Sequence, residues 1–174
     1  MLKRGKSPKY GNSAVQVIKS GQARGYSSFE FKERYYLSEE VNLDERKLQK
    51  GDLLINSTGV GTAGRVTLFD LDGDFVADSH ITIFRTNEKL LPKFGLYSLA
   101  NIGFKTIEKM ANGSSGQIEL NLSTIENIAF VVPDIAEQQT IITQINEWEN
   151  KIAMLEGKMA NAAAEKAAVL AKYL

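Results

Sequence analysis

The sequence predicts an α+β protein. A mixed or antiparallel β domain with short helices is expected over residues 1–133, and a long coiled-coil α-helix over residues 134–174. Short extended runs between glycine-containing turns predict the β part, and a helical pattern follows them from Pro92. From residue 141 onward, apolar side chains recur in alternating steps of four and three. This is the 3.5-residue period of a helix that buries a narrow stripe against another long helix.

The strands predicted in the first half of the chain are short. They cover residues 14–18, 53–56, 65–69, 75–77 and 80–85. Residues 19–22 form a loop, and the Leu-Asp-Gly-Asp run at 71–74 predicts a hairpin-like turn between the strands on either side of it. The order of these strands indicates an antiparallel β region.

The second half begins with a helical segment over residues 92–111, in which a break at 101–103 predicts two helices. Residues 112–116 are rich in Gly and Ser and predict a flexible loop. A short strand at 117–120, a helical turn at 122–127 and a strand at 128–132 are expected next. Pro133 then ends this part of the chain, and Asp134 with Glu137 fits a capping box for the long helix.

The apolar stripe of the long helix predicts a partner helix. Nine of the ten seam positions are apolar or alanine, and the exception is Lys166. The alternative is that the helix folds back on its own domain. Antiparallel pairing with a second copy sets the bulky first half of the seam against the small second half. The residues assigned to this homodimer are Ile141, Ile145, Trp148, Ile152, Leu155, Met159, Ala162, Val169 and Tyr173.

Composition limits the function classes. The 174 residues suit one domain plus an appendage, and the absence of cysteine excludes disulfides and cysteine-ligated metals. No membrane span or signal peptide is visible, so a cytoplasmic protein is expected. Net charge is zero, but residues 1–34 hold eight basic and two acidic side chains. Such an asymmetry is typical of a solvated face or of a nucleic-acid contact, and both interpretations stay open.

A glycine-rich run, residues 59–64, matches the GxGxxG pattern of dinucleotide-binding sites. A helix should follow such a motif, but a strand is predicted instead, so the dinucleotide interpretation fails. A P-loop fails too, because no Gly-Lys-Ser/Thr ends the run. Its glycines could let backbone N–H groups approach a phosphate. The alternative is a glycine-rich hairpin without a ligand.

Catalytic and metal sites find little support. His80 is the only histidine, which excludes clusters of histidine ligands, and a structural role is expected for it. Asp78, Ser79 and His80 cannot assemble a triad, because neighbours on an extended strand point to opposite faces. The aspartates at 70, 72, 74 and 78 would suggest a Mg²⁺-dependent nuclease only if those around residue 72 converged.

Several segments together resemble one family. They are the run from Arg4 to Tyr10, the segments 18–22 and 51–61, Asp78 to Ile81, and Val132-Pro133 followed by Glu137-Gln138-Gln139 and a long helix. In this order they resemble the specificity subunit of type I restriction-modification systems. The resemblance implies a non-catalytic target recognition domain that reads double-stranded DNA. With one domain and one helix, the chain corresponds to a half-subunit or a fragment.

The resemblance also implies partners and cofactors. DNA methyltransferase and restriction subunits would assemble around the specificity subunit, and S-adenosylmethionine, ATP and Mg²⁺ would bind only to those partners. Two other functions stay open at this point, a coiled-coil module that binds a protein and a metal-dependent nuclease. The candidate DNA-binding residues are Lys6, Lys9, Lys19, Ser20, Gln22, Arg24, Tyr26, Thr58, Gly59, Gly61, Thr62, Arg65, Asn112, Ser114 and Gln117.

Overall fold

A computed structural model describes residues 1–39, 43, 47–114 and 117–173. The elements follow in the order β1 (Leu2–Arg4), β2 (Gln16–Ile18), β3 (Ala23–Gly25), β4 (Ser28–Phe29), β5 (Tyr35–Tyr36), β6 (Leu53–Asn56), β7 (Val66–Leu68), β8 (Phe75–Ala77), β9 (Ile81–Phe84), α1 (Pro92–Ile102), α2 (Phe104–Glu108), β10 (Asn112–Ser114), β11 (Gln117–Glu119), α3 (Leu122–Glu126) and α4 (Ile135–Tyr173). The predicted α+β class is confirmed.

Two sheets form the centre of the domain. The first has the order β1-β9-β6-β7 and is antiparallel throughout. The second has the order β5-β2-β8, in which β2 pairs antiparallel with β5 and parallel with β8. The pairs β3-β4 and β10-β11 are separate two-stranded ribbons. The sheets are therefore mixed, and the expectation of a purely antiparallel middle was too narrow.

Strand β6 shows why the first sheet lies in the middle. Leu54 joins the core cluster that the second sheet also lines, whereas Leu53 and Ile55 join the cluster beneath α1 and α3. Successive side chains of a strand point to opposite faces. All four residues of β6 are buried, so apolar layers cover both faces of the sheet at this strand.

Three local predictions were wrong. The turn at 71–74 does not close a hairpin, because β7 belongs to the first sheet and β8 to the second. Residues 112–114 are strand β10 rather than loop, since they pair with β11. Residues 128–132 form no strand. Within that last segment Ile128 and Phe130 pack against the helix-side core while Val131 stays exposed, so its apolar residues serve packing rather than pairing.

Other local predictions are confirmed. The helical segment is divided at Gly103, whose φ of 85° ends α1. Pro92 stands in the first turn of α1, where its missing N–H is harmless. The backbone N–H of Glu137 donates to Oδ1 of Asp134 at 2.9 Å, so Asp134 caps α4.

The first turns of α4 are anchored to the domain by a buried amide. Gln138 is fully buried, and its Oε1 accepts the backbone N–H of Leu91 at 2.9 Å. Its Nε2 donates to the carbonyls of Lys89 and Pro133, both at 2.8 Å. Ile142 is buried one turn further along. Three backbone groups therefore depend on one side chain for their hydrogen bonds.

A second contact lies where α4 crosses α1. Lys93 Nζ donates to Oδ1 of Asn146, and the Tyr97 hydroxyl donates to Oε2 of Glu149 at 2.9 Å. From residue 147 to residue 173 every side chain of α4 is exposed. This part is about 40 Å long at 1.5 Å per residue. The alternative of a helix folded back along its own domain is wrong beyond residue 146, although Ile141 and Ile145 are half-buried.

Candidate nucleic-acid interface

Four strands of the first sheet place their loops at one end, which we call the loop end. This end holds the last residues of β1 and β6 and the first residues of β7 and β9. The strand register shows it, because Arg4 pairs with Thr82, Ile55 with Val66 and Asn56 with Ile81. The opposite end, the helix end, holds Asp52, Arg85 and the anchor of α4. Arg85 binds the fully buried Asp52 carboxylate through Nε at 2.6 Å and Nη2 at 2.7 Å. The candidate residues from distant segments therefore meet at the loop end.

Gly5 brings the basic N-terminal run against the turn before β9. A Cβ added to Gly5 would lie 1.9 Å from the carbonyl oxygen of Asp78, so no other residue fits here. Ser7 Oγ donates to Ser79 Oγ at 3.3 Å. Lys6 and Lys9 are exposed, and within the described ranges neither forms an ion pair. Contact of either ammonium group with a phosphate stays a prediction.

Lys19 stands over two aromatic rings. Its Nζ lies 4.0 Å from the ring centroid of Tyr35 and 5.7 Å from that of Tyr10. Cation–π contacts of this kind hold an ammonium in place while leaving it charged. The Tyr35 hydroxyl donates to Glu33, and this hydrogen bond raises the pKa of Tyr35. Neither Tyr10 nor Tyr35 is among the fifteen candidate residues, because only the folded chain brings the two rings beneath Lys19.

Gln22 is committed to the fold. It is 8% exposed, its Oε1 accepts the N–H of Lys19 at 3.0 Å, and its Nε2 donates to the carbonyl of Glu33 at 2.7 Å. With both amide atoms in use, this side chain supports the loop at 19–22. The geometry argues against the predicted base contact from Gln22.

A groove of about 470 Å³ runs along this loop and ends at the turn before β9. Its lining combines cations, carboxylates and a histidine: Lys19, Ser20, Gly21, Gln22, Arg24, Glu30, Lys32, Glu33, Tyr35, Asp78 and His80. Arg24 and Lys32 both pair with Glu30, at 3.5 and 3.3 Å. These exposed pairs are weak, so a phosphate can compete for either cation.

A second groove, of about 340 Å³, continues from Arg24 past Tyr26 to Arg65 and Phe104. Tyr26 has a φ of 52°, a value that only glycine adopts without strain. Its backbone holds this conformation because its N–H donates to Val66 and its carbonyl accepts from Leu68. The ring is 58% exposed. A strained residue that presents an aromatic ring to solvent is a candidate for a functional contact.

His80 joins the loop of Thr58 to this surface. Its Nδ1 lies 2.9 Å from Thr58 Oγ1, and its backbone N–H donates to Oδ1 of Asp78. Burial raises the pKa of the Asp78 carboxyl, against the opposing effects of this hydrogen bond and of the positive charges of His80 and Lys19. His80 itself is exposed.

The glycine-rich loop differs from the predicted phosphate cradle. Most of its N–H groups are bonded within the protein, as those of Thr62 and Ala63 are to the Gly59 carbonyl. The N–H of Gly61 donates to a Glu108 carboxylate oxygen, which takes the place that a phosphate would occupy. Thr62 Oγ1 also bonds inward, to Thr58 and Gly59. The cradle is therefore closed in this structure.

The β10–β11 ribbon flanks the glycine-rich loop. Gly59 N–H donates to the Ile118 carbonyl at 3.3 Å, and Arg4 ties the base of the ribbon to β1 through Leu120 and Glu119. Asn112 is exposed on β10. The backbones of Ser114 and Gln117 are register partners in the ribbon. Candidate residues from the N-terminal run, the 19–26 segment, the glycine-rich loop and the ribbon thus lie at the loop end, and contact with DNA stays a prediction for each.

The aspartates considered for a nuclease do not define a metal site. Asp70 and Asp72 both approach Lys50 Nζ, at 3.9 and 2.7 Å, and Asp74 pairs with Lys47. Among the described residues no three His, Asp or Glu side chains gather in a way that could hold a metal. No helix in those ranges is long and apolar enough to cross a membrane.

The fold and the loop-end surface define a class of protein: a small α+β recognition module, with basic and aromatic side chains at one end and a long exposed helix leaving the other. The chain belongs to the family described as Type I restriction modification DNA specificity domain, which it matches over residues 2–162. It is 27% identical over 141 residues to a Haemophilus influenzae protein named as a putative type I restriction enzyme specificity subunit.

Two solved structures have the same fold. One chain comes from a study of complex assembly and conformational transition in a type I R-M system (TM-score 0.70, 16% identity, 94% of this chain). The other is a type I restriction-modification S subunit from M. genitalium (TM-score 0.61, 16% identity, 90% of this chain). The H. influenzae match covers 77% of this chain. This chain spans well under half the length of all three relatives: 35% of the H. influenzae protein, 39% of the first solved chain and 38% of the second. The resemblance to specificity subunits is confirmed.

Proposed function

We propose that this chain reads DNA as a specificity subunit, or half of one, of a type I restriction-modification system, and that it catalyses no reaction itself. The family match over residues 2–162 carries the proposal. The loop end supports it, because exposed cations, an exposed aromatic ring and a groove lie together there. The methyltransferase and restriction subunits would supply the chemistry, with S-adenosylmethionine, ATP and Mg²⁺ on their side, in the cytoplasm.

Phosphate contacts would position the loop end on the duplex. Lys6 and Lys9 are exposed on the N-terminal run, and Arg24 and Lys32, which line the groove, can exchange Glu30 for a phosphate. Such contacts are sequence-independent and salt-sensitive. Base readout would then fall to side chains in or beside the groove. Ser20, Tyr26, Thr58 and Gln117 are the candidates that remain after Gln22 is assigned to the fold.

The projecting part of α4 would bring two readers together. Trp148 is 64% exposed and Met159 is 73% exposed, which leaves an apolar stripe uncovered along about 40 Å of helix. Antiparallel pairing centred near Gly157 sets Trp148 beside Lys166 and Ile152 beside Ala162. Each bulky side chain then meets a small or a flexible one. A twofold dimer of this kind would read an inverted repeat whose halves lie about one helical turn apart. Light scattering that returned the mass of one chain at micromolar concentration would exclude the dimer.

Fluorescence anisotropy with a random-sequence duplex tests the DNA-reading role. The wild-type chain should bind at low salt, and its affinity should fall as salt rises. The double variant Lys6→Ala/Lys9→Ala should bind more weakly, with a salt slope flatter by about 0.9 for each lost phosphate contact. Lys89→Ala removes an exposed lysine at the helix end and serves as the matched control. The proposal would be contradicted if Lys89→Ala weakened binding as much as Lys6→Ala/Lys9→Ala did, or if the wild type did not bind the duplex.

Sequencing of methylated bases in the source cell tests the same proposal without purification. A palindromic motif split by a fixed spacer is expected if two identical domains direct one methyltransferase. A motif with two unrelated halves would mean that two different recognition domains act together, which contradicts the symmetric dimer.

A further inference from the structure

The glycine-rich loop already holds an anion from its own chain. The N–H of Gly61 donates to Oε1 of Glu108, the last residue of α2. Gly61 has a φ of 78°, and a Cβ added to it would meet no atom within 4 Å. The acceptor therefore reaches the loop at a point with open space around it, where a molecule from outside could also approach.

The choice of acceptor is informative because the neighbouring amides bond within the loop or to the sheet. Gly64 N–H donates to the Asn56 carbonyl at 2.8 Å, and Arg65 N–H donates to the Thr62 carbonyl at 3.1 Å. Gly61 differs, because its partner is a charged side chain from another element. Backbone amides presented by successive glycines favour anionic acceptors, and such hydrogen bonds are stronger than neutral ones. A carboxylate and a phosphate oxygen compete for such an amide.

The nearest candidate phosphate ligand is beside the same glycine. Arg65 Nη2 donates to the Gly61 carbonyl at 3.2 Å, and its guanidinium stands 5.8 Å from the ring centroid of Phe104, the first residue of α2. Glu108 lies one turn further along that helix. Glu108 and Arg65 therefore contact the same glycine, Glu108 at its N–H and Arg65 at its carbonyl, and Arg65 lines the second groove.

We propose that Glu108 is a specificity-determining residue that lowers affinity for DNA of arbitrary sequence. Its carboxylate occupies the Gly61 N–H and repels a phosphate that approaches Arg65. With this phosphate contact weakened, binding depends more on base contacts elsewhere on the loop end, and only base contacts carry sequence information. This inference rests on the proposed DNA-reading function and assigns one residue the opposite task to that of Lys6 and Lys9.

The variant Glu108→Gln tests the idea, because it keeps an oxygen acceptor for Gly61 and removes the charge. Its dissociation constant for a random duplex at 50 mM salt should be about threefold lower than that of the wild type, the effect of one charge at a few ångströms in water. The salt slope should steepen by about 0.9, so the gain should disappear near 200 mM. Glu88→Gln is the control, since Glu88 is exposed in the turn after β9 at the helix end.

The variants separate the possible outcomes. If Glu108→Gln and Glu88→Gln match the wild type in affinity and slope, or if Glu108→Gln binds more weakly, the inference is overturned while the DNA-reading role stands. If neither the wild type nor any variant binds duplex, the DNA-reading role fails first. Glu108→Ala, which also removes the acceptor, should shift affinity in the same direction as Glu108→Gln. Unchanged thermal midpoints would show that the changes act on binding rather than on folding.

Discussion

Replacing Gln138 by leucine should detach the long helix from the domain. Leucine has a similar volume, but it leaves the Leu91 N–H and the carbonyls of Lys89 and Pro133 without their partners. Each lost hydrogen bond reduces stability by about 0.5–1.5 kcal/mol, so three give about 2–4 kcal/mol. This is a large share of the roughly 5–15 kcal/mol that stabilises a typical domain.

Urea unfolding followed by tryptophan fluorescence and circular dichroism measures this effect, and Gln139→Leu supplies the control. Gln139 is the next residue, and it is exposed, so its replacement should change the free energy of unfolding by less than about 0.5 kcal/mol. Limited proteolysis should also cut the Gln138→Leu variant near residues 131–140 first, because the anchor there is weakened. A loss below about 1 kcal/mol for Gln138→Leu, or equal losses for both variants, would refute the view that the buried amide anchors α4.

Three further predictions concern the loop end. Tyr26→Gly should keep a cooperative unfolding transition, because glycine accepts the φ of 52°. Its affinity for random duplex in the anisotropy assay should fall about two- to tenfold, the effect of losing one hydrogen bond from the exposed hydroxyl. Unchanged affinity would remove Tyr26 from the interface. Gly64→Ala should lower the free energy of unfolding in urea by about 2–4 kcal/mol, because the new Cβ would lie 2.7 Å from the Phe104 carbonyl oxygen. Gly61→Ala meets only the strain of positive φ and should lower it by about 1 kcal/mol. A larger loss for Gly61→Ala than for Gly64→Ala would contradict the packing described. Asp78→Asn should gain stability relative to the wild type as pH rises above about 4. Burial raises the pKa of Asp78 in the folded state, so the wild type loses stability as pH rises through that pKa. Asparagine does not titrate and loses none. A difference in urea midpoint that does not grow between pH 4 and pH 7 would refute this.

The sequence predicted most of the elements because their signals are local. Pro92 and Gly103 bracket α1, and Asp134 caps α4, each through the conformation or hydrogen bonds of a single residue. Strand pairing is not local, and there the predictions failed. The turn at 71–74 has the composition of a hairpin, yet the strands on either side belong to different sheets. The parallel partner of β8 is β2, more than fifty residues earlier, and periodicity cannot reveal such a pairing.

The candidate site was predictable by segment but less so by residue. Basic and aromatic composition pointed to residues 1–34, and the fold brings two stretches of that segment, residues 4–7 and 19–26, to the loop end. The role of Gln22 could not be predicted, because its partners are backbone atoms of Lys19 and Glu33 that only the folded loop brings within reach. Glu108 was missed for the same reason, since its contact with Gly61 spans forty-seven positions of sequence. Asn56 offers a weak sequence signal, because it is a polar residue at the end of a buried strand. Its Nδ2 donates to the carbonyls of Ser20 and Ala23 and so holds the loop at 19–22.

The two ends of the first sheet differ in how freely they can evolve. The helix end is constrained by the ion pair of buried Asp52 with Arg85 and by the buried amide of Gln138. Almost any substitution of these residues removes several hydrogen bonds at once. Exposed side chains such as Lys6 and Asn112 occupy the loop end, so new variants there leave the interior unaltered. Substitutions at one pole can therefore change the surface that the chain presents while the attachment of its long helix stays constant at the other.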